Sequence, residues 1–560
     1  MNKNTLLIGT IILTLSGFLT RIMGFFYKIY LSNTMTTENL GLYQLIFPVY
    51  GICFTLYASG IQTAISQLVA NCSSSSKENT VRQQKNILHC GIIVSVLIAL
   101  FLSMLVFTWS DFIATRFLMD SRCSNSLRVI STVFPFCGIT SCINGYYYGL
   151  KKTKIPASTQ LFEQIIRIAS VCFLAVSIGG EKQVSCELAT FGIVLGEIAS
   201  NIFSILSLLM DRHKQTSLSK KSTFKSLSSE TIPSQKVFSE TLSTPKMPSE
   251  KIFSQKVHSK ISTNKNTIQL EKSNLLSPFK QLSKLAVPLT ANRLVISILH
   301  SFEAILVPFS LQKFGLSTEA SLSLYGILSG MAIPFILFPS AITNALAVLL
   351  LPTISEAQAI GNKRKIQSIS QITIKYSLII GIFATFIFIL FGNAIGNVFY
   401  HNTSAGYFIV ILSWLCPFLY LSTTFSSIIN GLGQTHLTFF NTIISLAIRI
   451  GCICYLVPKQ GINGYLISLL ISQLALTLLD YLSITKTVSL PIDSINCIGK
   501  PVLILFIFGF FFSKLYEQLA LLEIVMPLVL LLGICFLLCI CYIGMLILTK
   551  AIQLEELTVK

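Results

Sequence analysis

Long apolar runs constrain this chain more than any other feature. Many approach the roughly 20 residues that a helix needs to cross a bilayer. Segments 91–109, 376–392 and 524–549 are apolar on every face. In lipid each backbone N–H and C=O must be satisfied within its own segment, which an open chain achieves as a helix. The expected fold class is therefore an all-α polytopic membrane protein. Fourteen spans are predicted at approximately 6–30, 42–70, 86–109, 127–149, 155–179, 187–210, 282–310, 322–351, 369–391, 405–430, 436–457, 462–485, 498–514 and 522–549. A soluble alternative fails on charge. Only 11% of the residues are charged, against about 25% in soluble domains, too few to cover a water-facing surface of this size.

The net charge of +19 would suit nucleic acid if it formed one folded patch, but it does not. Much of it lies in segment 211–280 and the rest largely in short loops. Lys77, Arg82, Lys85, Lys151, Lys152, Lys154, Lys363, Arg364, Lys365, Lys486 and Lys500 fall in or beside alternate loops, as does the 211–280 segment. The positive-inside rule places that set, and both termini, in the cytoplasm. Segment 211–280 is rich in Ser and Lys and repeats Ser-Gln-Lys-Val at 234–237 and 254–257. With so little apolar content it is expected to be a disordered cytoplasmic linker, either a simple expansion or a regulatory, lipid-binding segment. The N-terminal apolar stretch reads as a retained first span, because it has no small-x-small cleavage site and runs on to Tyr30. The fifteen cysteines are scattered through apolar runs without histidine or carboxylate at ligand spacing, so no metal site is expected. No nucleotide-binding glycine loop or catalytic triad is present, and the chain reads as a non-enzyme.

A duplication is the most informative pattern. Pro135-Phe136 returns as Pro417-Phe418, Gly149-Leu150 as Gly431-Leu432, Thr153 as Thr435, and Arg167-Ile168 as Arg449-Ile450, all shifted by 282 (135 to 417). Leu42-Tyr43 matches Leu324-Tyr325 at the same shift. Each unit holds six spans, an even number, so both enter the membrane in the same direction and form parallel repeats. The expected domains are an N-lobe at 1–210, the linker at 211–280, a C-lobe at 281–490, and two further spans with a cytoplasmic tail at 491–560. Two such lobes could enclose a cavity that rocking exposes to either side.

Charges at membrane depth are costly, and usually face an aqueous cavity or a partner. Here they are Arg21, Lys28, Glu163, Arg167, Glu197, Arg293, Glu303, Arg449 and Asp480. Glu163 and Arg167 are four apart and able to pair. Lys28 either snorkels to the outer surface or faces the cavity, Asp480 reads as solvated near a helix end, and Glu197 as packed against a neighbouring helix. Arg21, Arg293 and Arg449 are deep and have no acidic neighbour in sequence. The substrate-binding candidates are Arg21, Lys28, Arg167, Arg293 and Arg449, with Glu163, Glu197 and Glu303 as coupling or ion-pair candidates. Excess arginine in a cavity implies anionic cargo, and the planar guanidinium suits phosphate.

The duplicated six-span unit, the two extra spans and the stretch Thr20-Arg21-Ile22-Met23-Gly24-Phe25 resemble the multidrug/oligosaccharidyl-lipid/polysaccharide exporter superfamily. Gly41-Leu42-Tyr43-Gln44 and the Gly-Tyr-Tyr-Tyr-Gly-Leu run at 145–150 narrow the resemblance to the stage V sporulation protein B group of polysaccharide exporters, relatives of the lipid II flippases. The resemblance implies export of undecaprenyl-linked cell-wall precursors in the cell membrane, with spore cortex peptidoglycan as one destination. In lipid II flippases span 1 carries two functional arginines. Arg21 matches the first, whereas Tyr27 occupies the second position with Lys28 beside it. Those flippases also line a lipid-tail groove with spans 13 and 14. The expected partners are a lipid-linked anionic oligosaccharide precursor, membrane lipids and cell-wall synthases, with no nucleic acid. No cofactor is expected, and the drive is the membrane potential or a coupling cation. Two other readings stand beside this one: a cation-coupled multidrug exporter of the same superfamily, and a non-transporting scaffold for cell-wall synthesis.

Overall fold

The structure is a computed structural model that describes residues 3–72, 77–178, 184–227, 276–490, 493–522 and 525–552, with side chains described at 14–72, 79–178, 184–211, 278–490, 493–522 and 525–552. All regular structure among these residues is helical. We label the spans α1 (Lys3–Thr34), α2 (Thr37–Phe54 continuing through Gly60–Asn71), α3 (Lys77–Thr108), α4 (Cys123–Ser131 and Phe134–Gly149), α5 (Lys154–Ile178), α6 (Cys186–Leu227), α7 (Leu276–Lys313), α8 (Thr318–Leu337 and Ser340–Ala359), α9 (Lys363–Tyr400), α10 (Thr403–Gly431), α11 (Thr435–Gln460), α12 (Ile462–Thr485), α13 (Ile495–Leu521) and α14 (Pro527–Leu548). Length and composition alone give 13 membrane-crossing helices, or 14 with the bent pair in α4, which turns by 46°. The two parts of α8 are separate in that count. They correspond to the continuous α2 and are one span, and α1 restores the total of fourteen.

The linker expected at 211–280 is shorter at both edges. Helix α6 runs on to Leu227 and α7 starts at Leu276, because the apolar periodicity of each span carries its first polar turns with it. Residues 228–275 lie outside the described residues.

The duplication persists in the hydrogen bonds. Lys152 Nζ reaches Asp211 at 2.7 Å, and its counterpart Gln434 Nε2 reaches Thr487 at 3.3 Å. Thr159 contacts Ser204 at 3.4 Å, and Asn441 donates to Asp480 at 2.8 Å. Asn201 donates to the Phe136 carbonyl at 3.0 Å, and Thr477 to the Phe418 carbonyl at 3.1 Å. Partners on α4 and α5 or just before α5 shift by 282 (152 to 434) and those on α6 by 276 (211 to 487), because seven residues, 179–185, separate α5 from α6 whereas Gly461 alone separates α11 from α12.

The lobes meet closely at one end. A Cβ on Gly41 would lie 2.2 Å from the Leu322 carbonyl oxygen, and one on Gly326 would lie 2.3 Å from that of Thr37. Only residues without a Cβ allow α2 and α8 to approach in this way. Thr37 and Ser323 hydroxyls meet there at 2.7 Å, and Asn33 Nδ2 donates to the Phe399 carbonyl at 2.8 Å. Among the described residues, the far halves Gly60–Asn71 and Ser340–Ala359 do not pack on one another. Between these regions both helices are interrupted. Helix α2 makes a π turn at Thr55–Ser59, while α8 makes one at Ile327–Ala332 and breaks again at Phe338-Pro339. Such interruptions supply bending points. The result is a cleft between α2 and α8, closed at the 34/317 end and parted at the 71/359 end, while α7 packs along α2 on its flank, where a Cβ on Gly60 would lie 2.0 Å from the Thr290 hydroxyl.

Candidate functional site: an arginine crevice beside an apolar groove

The basic residues fall into two classes. Arg167 pairs with Glu163 on its own helix, and Gly196 of α6 packs on the Arg167 Cβ. Glu197, buried beside Tyr50 and Cys137, completes this cluster. In the C-lobe Arg449 donates through Nε to the Ser472 hydroxyl at 2.7 Å and through Nη1 to Glu303 at 3.2 Å. Tyr465 also donates to Glu303, at 3.1 Å, and His300 Nδ1 lies 3.5 Å from the other carboxylate oxygen. Arg449, which has no acidic neighbour in sequence, thus gains one in space, and that partner is Glu303, one of the ion-pair candidates. Glu303 is buried on α7 and faces α11. Sequence could not join them, since they are 146 positions apart. A buried pair of this kind supports the C-lobe, and does not offer Arg449 as a free anion ligand.

Arg21, Lys28 and Arg293 have no acidic partner among the described residues. Arg21 is exposed at the seam between α1 and α8, in a crevice of about 100 Å³ with Gly17, Phe18, Ala341 and Asn344. Lys28 lies seven residues nearer the closed end on the same helix and is exposed. Arg293 on α7 is exposed and bridges the lobes. Its Nη1 donates to the carbonyl and the hydroxyl of Ser59 on α2, each at 2.6 Å. Ser59 closes the π turn, where the helical hydrogen-bond ladder is interrupted. Of the five basic candidates, Arg167 and Arg449 are thus paired with carboxylates; among the described residues, Arg21, Lys28 and Arg293 are not.

Beside this lies a second feature. A groove of about 800 Å³ runs between α1, α8, α9 and α14. Phe25, Phe26, Phe338, Phe383 and Leu531 are among its lining residues. Tyr542 stacks on Phe383 at 5.1 Å and donates to the Ile379 carbonyl at 3.2 Å, which fixes α14 against α9. The expectation that spans 13 and 14 both line this groove holds for α14. None of the described α13 residues does so; α13 packs beside α9 and α14. The Arg21 crevice lies next to this groove along the α1/α8 seam: Phe25 is one turn from Arg21, and Ile342 adjoins Ala341. The apolar excess of span 14 was the one sign of the groove in the sequence.

Asp480 departs from the sequence reading most. Expected to be solvated, it is 0% exposed, because α10 and α11 close over it. Among the described residues no group of three or more potential metal ligands occurs.

Comparison with known proteins agrees with this geometry. A family model described as polysaccharide biosynthesis protein matches residues 6–238. The chain is 26% identical to stage V sporulation protein B of Bacillus subtilis (strain 168), over 88% of this chain and 86% of that one. It is 24% identical to the lipid II flippase MurJ of the same organism, over 41% of this chain and 46% of that protein. Among solved structures, a lipid II flippase MurJ in an inward closed conformation superimposes with a TM-score of 0.64 at 15% identity, covering 96% of this chain and 98% of that one. An inward-facing multidrug resistance MATE family transporter gives 0.55 at 14% identity, over 83% and 95% of the two chains. In its multi-pass helical architecture and paired lobes the chain shares the fold of these solved transporters, and in sequence it is similar to stage V sporulation protein B and, over part of its length, to the lipid II flippase.

Proposed function

We propose that this chain is a flippase for a lipid-linked oligosaccharide or peptidoglycan precursor of the undecaprenyl-pyrophosphate type, carried from the inner to the outer leaflet by alternating access. One observation carries the reading: along the α1/α8 seam an apolar groove lies beside a crevice that holds an arginine with no acidic partner among the described residues. Such a site matches an amphiphile with a long hydrocarbon tail and an anionic head. The tail stays in the groove between α1, α8, α9 and α14, while Arg21, Lys28 and Arg293 receive the pyrophosphate. Guanidinium groups suit it because they give parallel, charge-assisted hydrogen bonds to phosphate oxygens. Arg167 and Arg449, each held by a carboxylate, shape the lobes and add to the field.

With the termini cytoplasmic, as the loop charges favour, the parted end of the cleft opens to the cytoplasm. Cargo enters laterally at the α1/α8 seam, and the Gly41–Gly326 contact then has to separate for release. The inside-negative membrane potential favours outward movement of anionic cargo by about 2.3 kcal/mol per charge per 100 mV. The Arg293–Ser59 contact lies where cargo would intervene between the lobes, so a phosphate that captures Arg293 loosens them.

A leaflet-accessibility assay in proteoliposomes with lipid II tests the reading. Arg21→Ala and Arg293→Ala should each slow flipping by about ten- to a hundredfold, as expected for loss of a charged hydrogen bond of about 1.5–3 kcal/mol. Unchanged flipping in both variants would remove the proposed head-group site. Dye efflux instead of lipid flipping would favour the multidrug reading.

A further inference from the structure

The duplication exposes a difference between the lobes that the cargo path does not use. At the α5/α6 junction of the N-lobe, Thr159 faces Ser204; at the same place in the C-lobe, Asn441 faces Asp480. One copy therefore carries an ionisable group where the other has a hydroxyl. Asp480 is wholly buried, and its contacts are neutral. Asn441 Nδ2 donates to Oδ1 at 2.8 Å, and the Ser426 hydroxyl lies 3.5 Å from Oδ2. Among the described residues no basic side chain pairs with it. This sets it apart from Glu163 and Glu303, which face Arg167 and Arg449.

Helices α10, α11 and α12 surround Asp480, and their ionisable groups are few. On its own helix these are Tyr465 and Tyr481; α10 has Tyr407, Cys416 and Tyr420; and α11 has His436 and Arg449, with Cys452, Cys454, Tyr455 and Lys459 farther along. None of these is hydrogen-bonded to it. His436 and Arg449 stand five and eight residues from Asn441, about 7.5 and 12 Å along the axis. An unpaired carboxylate buried at this depth costs several kcal/mol while charged, so it is stable when it binds a small cation.

A second observation indicates how that cation arrives. A ladder of polar side chains leads from the helix ends to Asp480. Gln434 meets Thr487 at 3.3 Å, Thr438 meets Asn430 at 3.2 Å, and Asn441 meets Ser483 at 3.1 Å before it reaches the carboxylate. The N-lobe does not repeat this ladder: its first rung is the Lys152–Asp211 ion pair, and Pro156 replaces Thr438. Asn441 already fills one carboxylate oxygen, and the remaining neighbours are too few and too distant to coordinate a metal cation. A proton fits.

We propose that Asp480 is a reversible proton-binding site of the C-lobe, loaded from the Gln434–Thr487 end and positioned by Asn441 and Ser426. On the flippase reading, on which only this last step rests, that proton is the coupling ion.

Dicyclohexylcarbodiimide, which attacks protonated buried carboxyls, tests the site on the full chain in liposomes without cargo. Mass spectrometry should find an adduct on Asp480 that increases as pH falls and disappears in D480N. Infrared difference spectra should show a protonated-carboxyl band that D480N lacks and that Asn441→Leu moves to a different pH. An Asp480 that shows neither a pH-dependent adduct nor a pH-dependent band overturns the proposal, as does protection by Na⁺ at fixed pH, which would indicate an alkali-metal site. Because no cargo is present, failure here is separate from failure of the flippase reading. Should Asp480 titrate while lipid II remains unflipped, the site stands and the cargo assignment falls.

Discussion

Arg449 and Glu303 meet at 3.2 Å across the α7/α11 contact, and Tyr465 and Ser472 complete their hydrogen bonding. Their side chains are 14% and 8% exposed, so neither is well solvated. Removing one partner leaves the other charge buried, which costs about 3–5 kcal/mol. Glu303→Gln should therefore lower the thermal midpoint of the detergent-solubilised protein sharply. A double replacement of both residues by leucine should recover most of the loss, since an apolar pair of similar volume carries no desolvation penalty. A double variant as unstable as Glu303→Gln would show that the pair contributes more than charge balance.

Gly41 and Leu322 define the closed end. A side chain on Gly41 would penetrate the Leu322 carbonyl, and overpacking of this kind costs about 1–3 kcal/mol. Gly41→Leu should shift the open-to-closed ratio by about ten- to a hundredfold. Cysteines at Thr37 and Ser323, whose hydroxyls meet at 2.7 Å, report this directly. Their cross-linking should be efficient in the parent and poor with Gly41→Leu. Equal yields would place the closure elsewhere.

Ile543 of α14 lines the groove and is exposed. Ile543→Glu puts a carboxylate where a hydrocarbon tail would lie, at a cost of about 2.5–3.5 kcal/mol at bilayer depth. Photo-cross-linking of a diazirine-tagged isoprenoid to α14 should fall by at least about tenfold at unchanged expression, while Ile543→Val should retain it. Retained labelling in the glutamate variant would exclude the groove as the tail site.

Outside the membrane, Asp111 accepts hydrogen bonds from Ser124 and Arg128. The Ser124 hydroxyl first, and then Arg128, hold its carboxyl below the usual range. A depressed folded-state pKa gives a contribution that is present above the unfolded value and fades as pH falls through the folded one. Fluorescence of Trp109, which sits 6.0 Å from Phe112, should be flat near neutrality in a W414F background and change only in acid. D111N should remove that acid transition, and an identical titration in D111N would refute the assignment.

Spans, parallel repeats and the superfamily resemblance were legible from the chain alone, because each is a property of local runs or of a fixed shift. Lipid demands apolar segments of bilayer length, and that demand is written residue by residue. The 282-residue shift likewise located Arg449 from Arg167. Even the alternation of basic loops needs only counting.

Which charges remain free was decided by packing. Arg21, Arg293 and Arg449 look alike in sequence, yet Arg449 meets Glu303, Arg293 meets Ser59 of the other lobe, and Arg21 faces an open crevice. Asp480 read as a solvated helix-end residue until α10 and α11 were seen to bury it. The apolar groove joins helices from both lobes and the second of the appended pair, α14. Hydrophobic patterning specifies that a segment is buried in lipid or protein. It does not specify which neighbour it meets, because contact between residues hundreds of positions apart arises only when the helices pack.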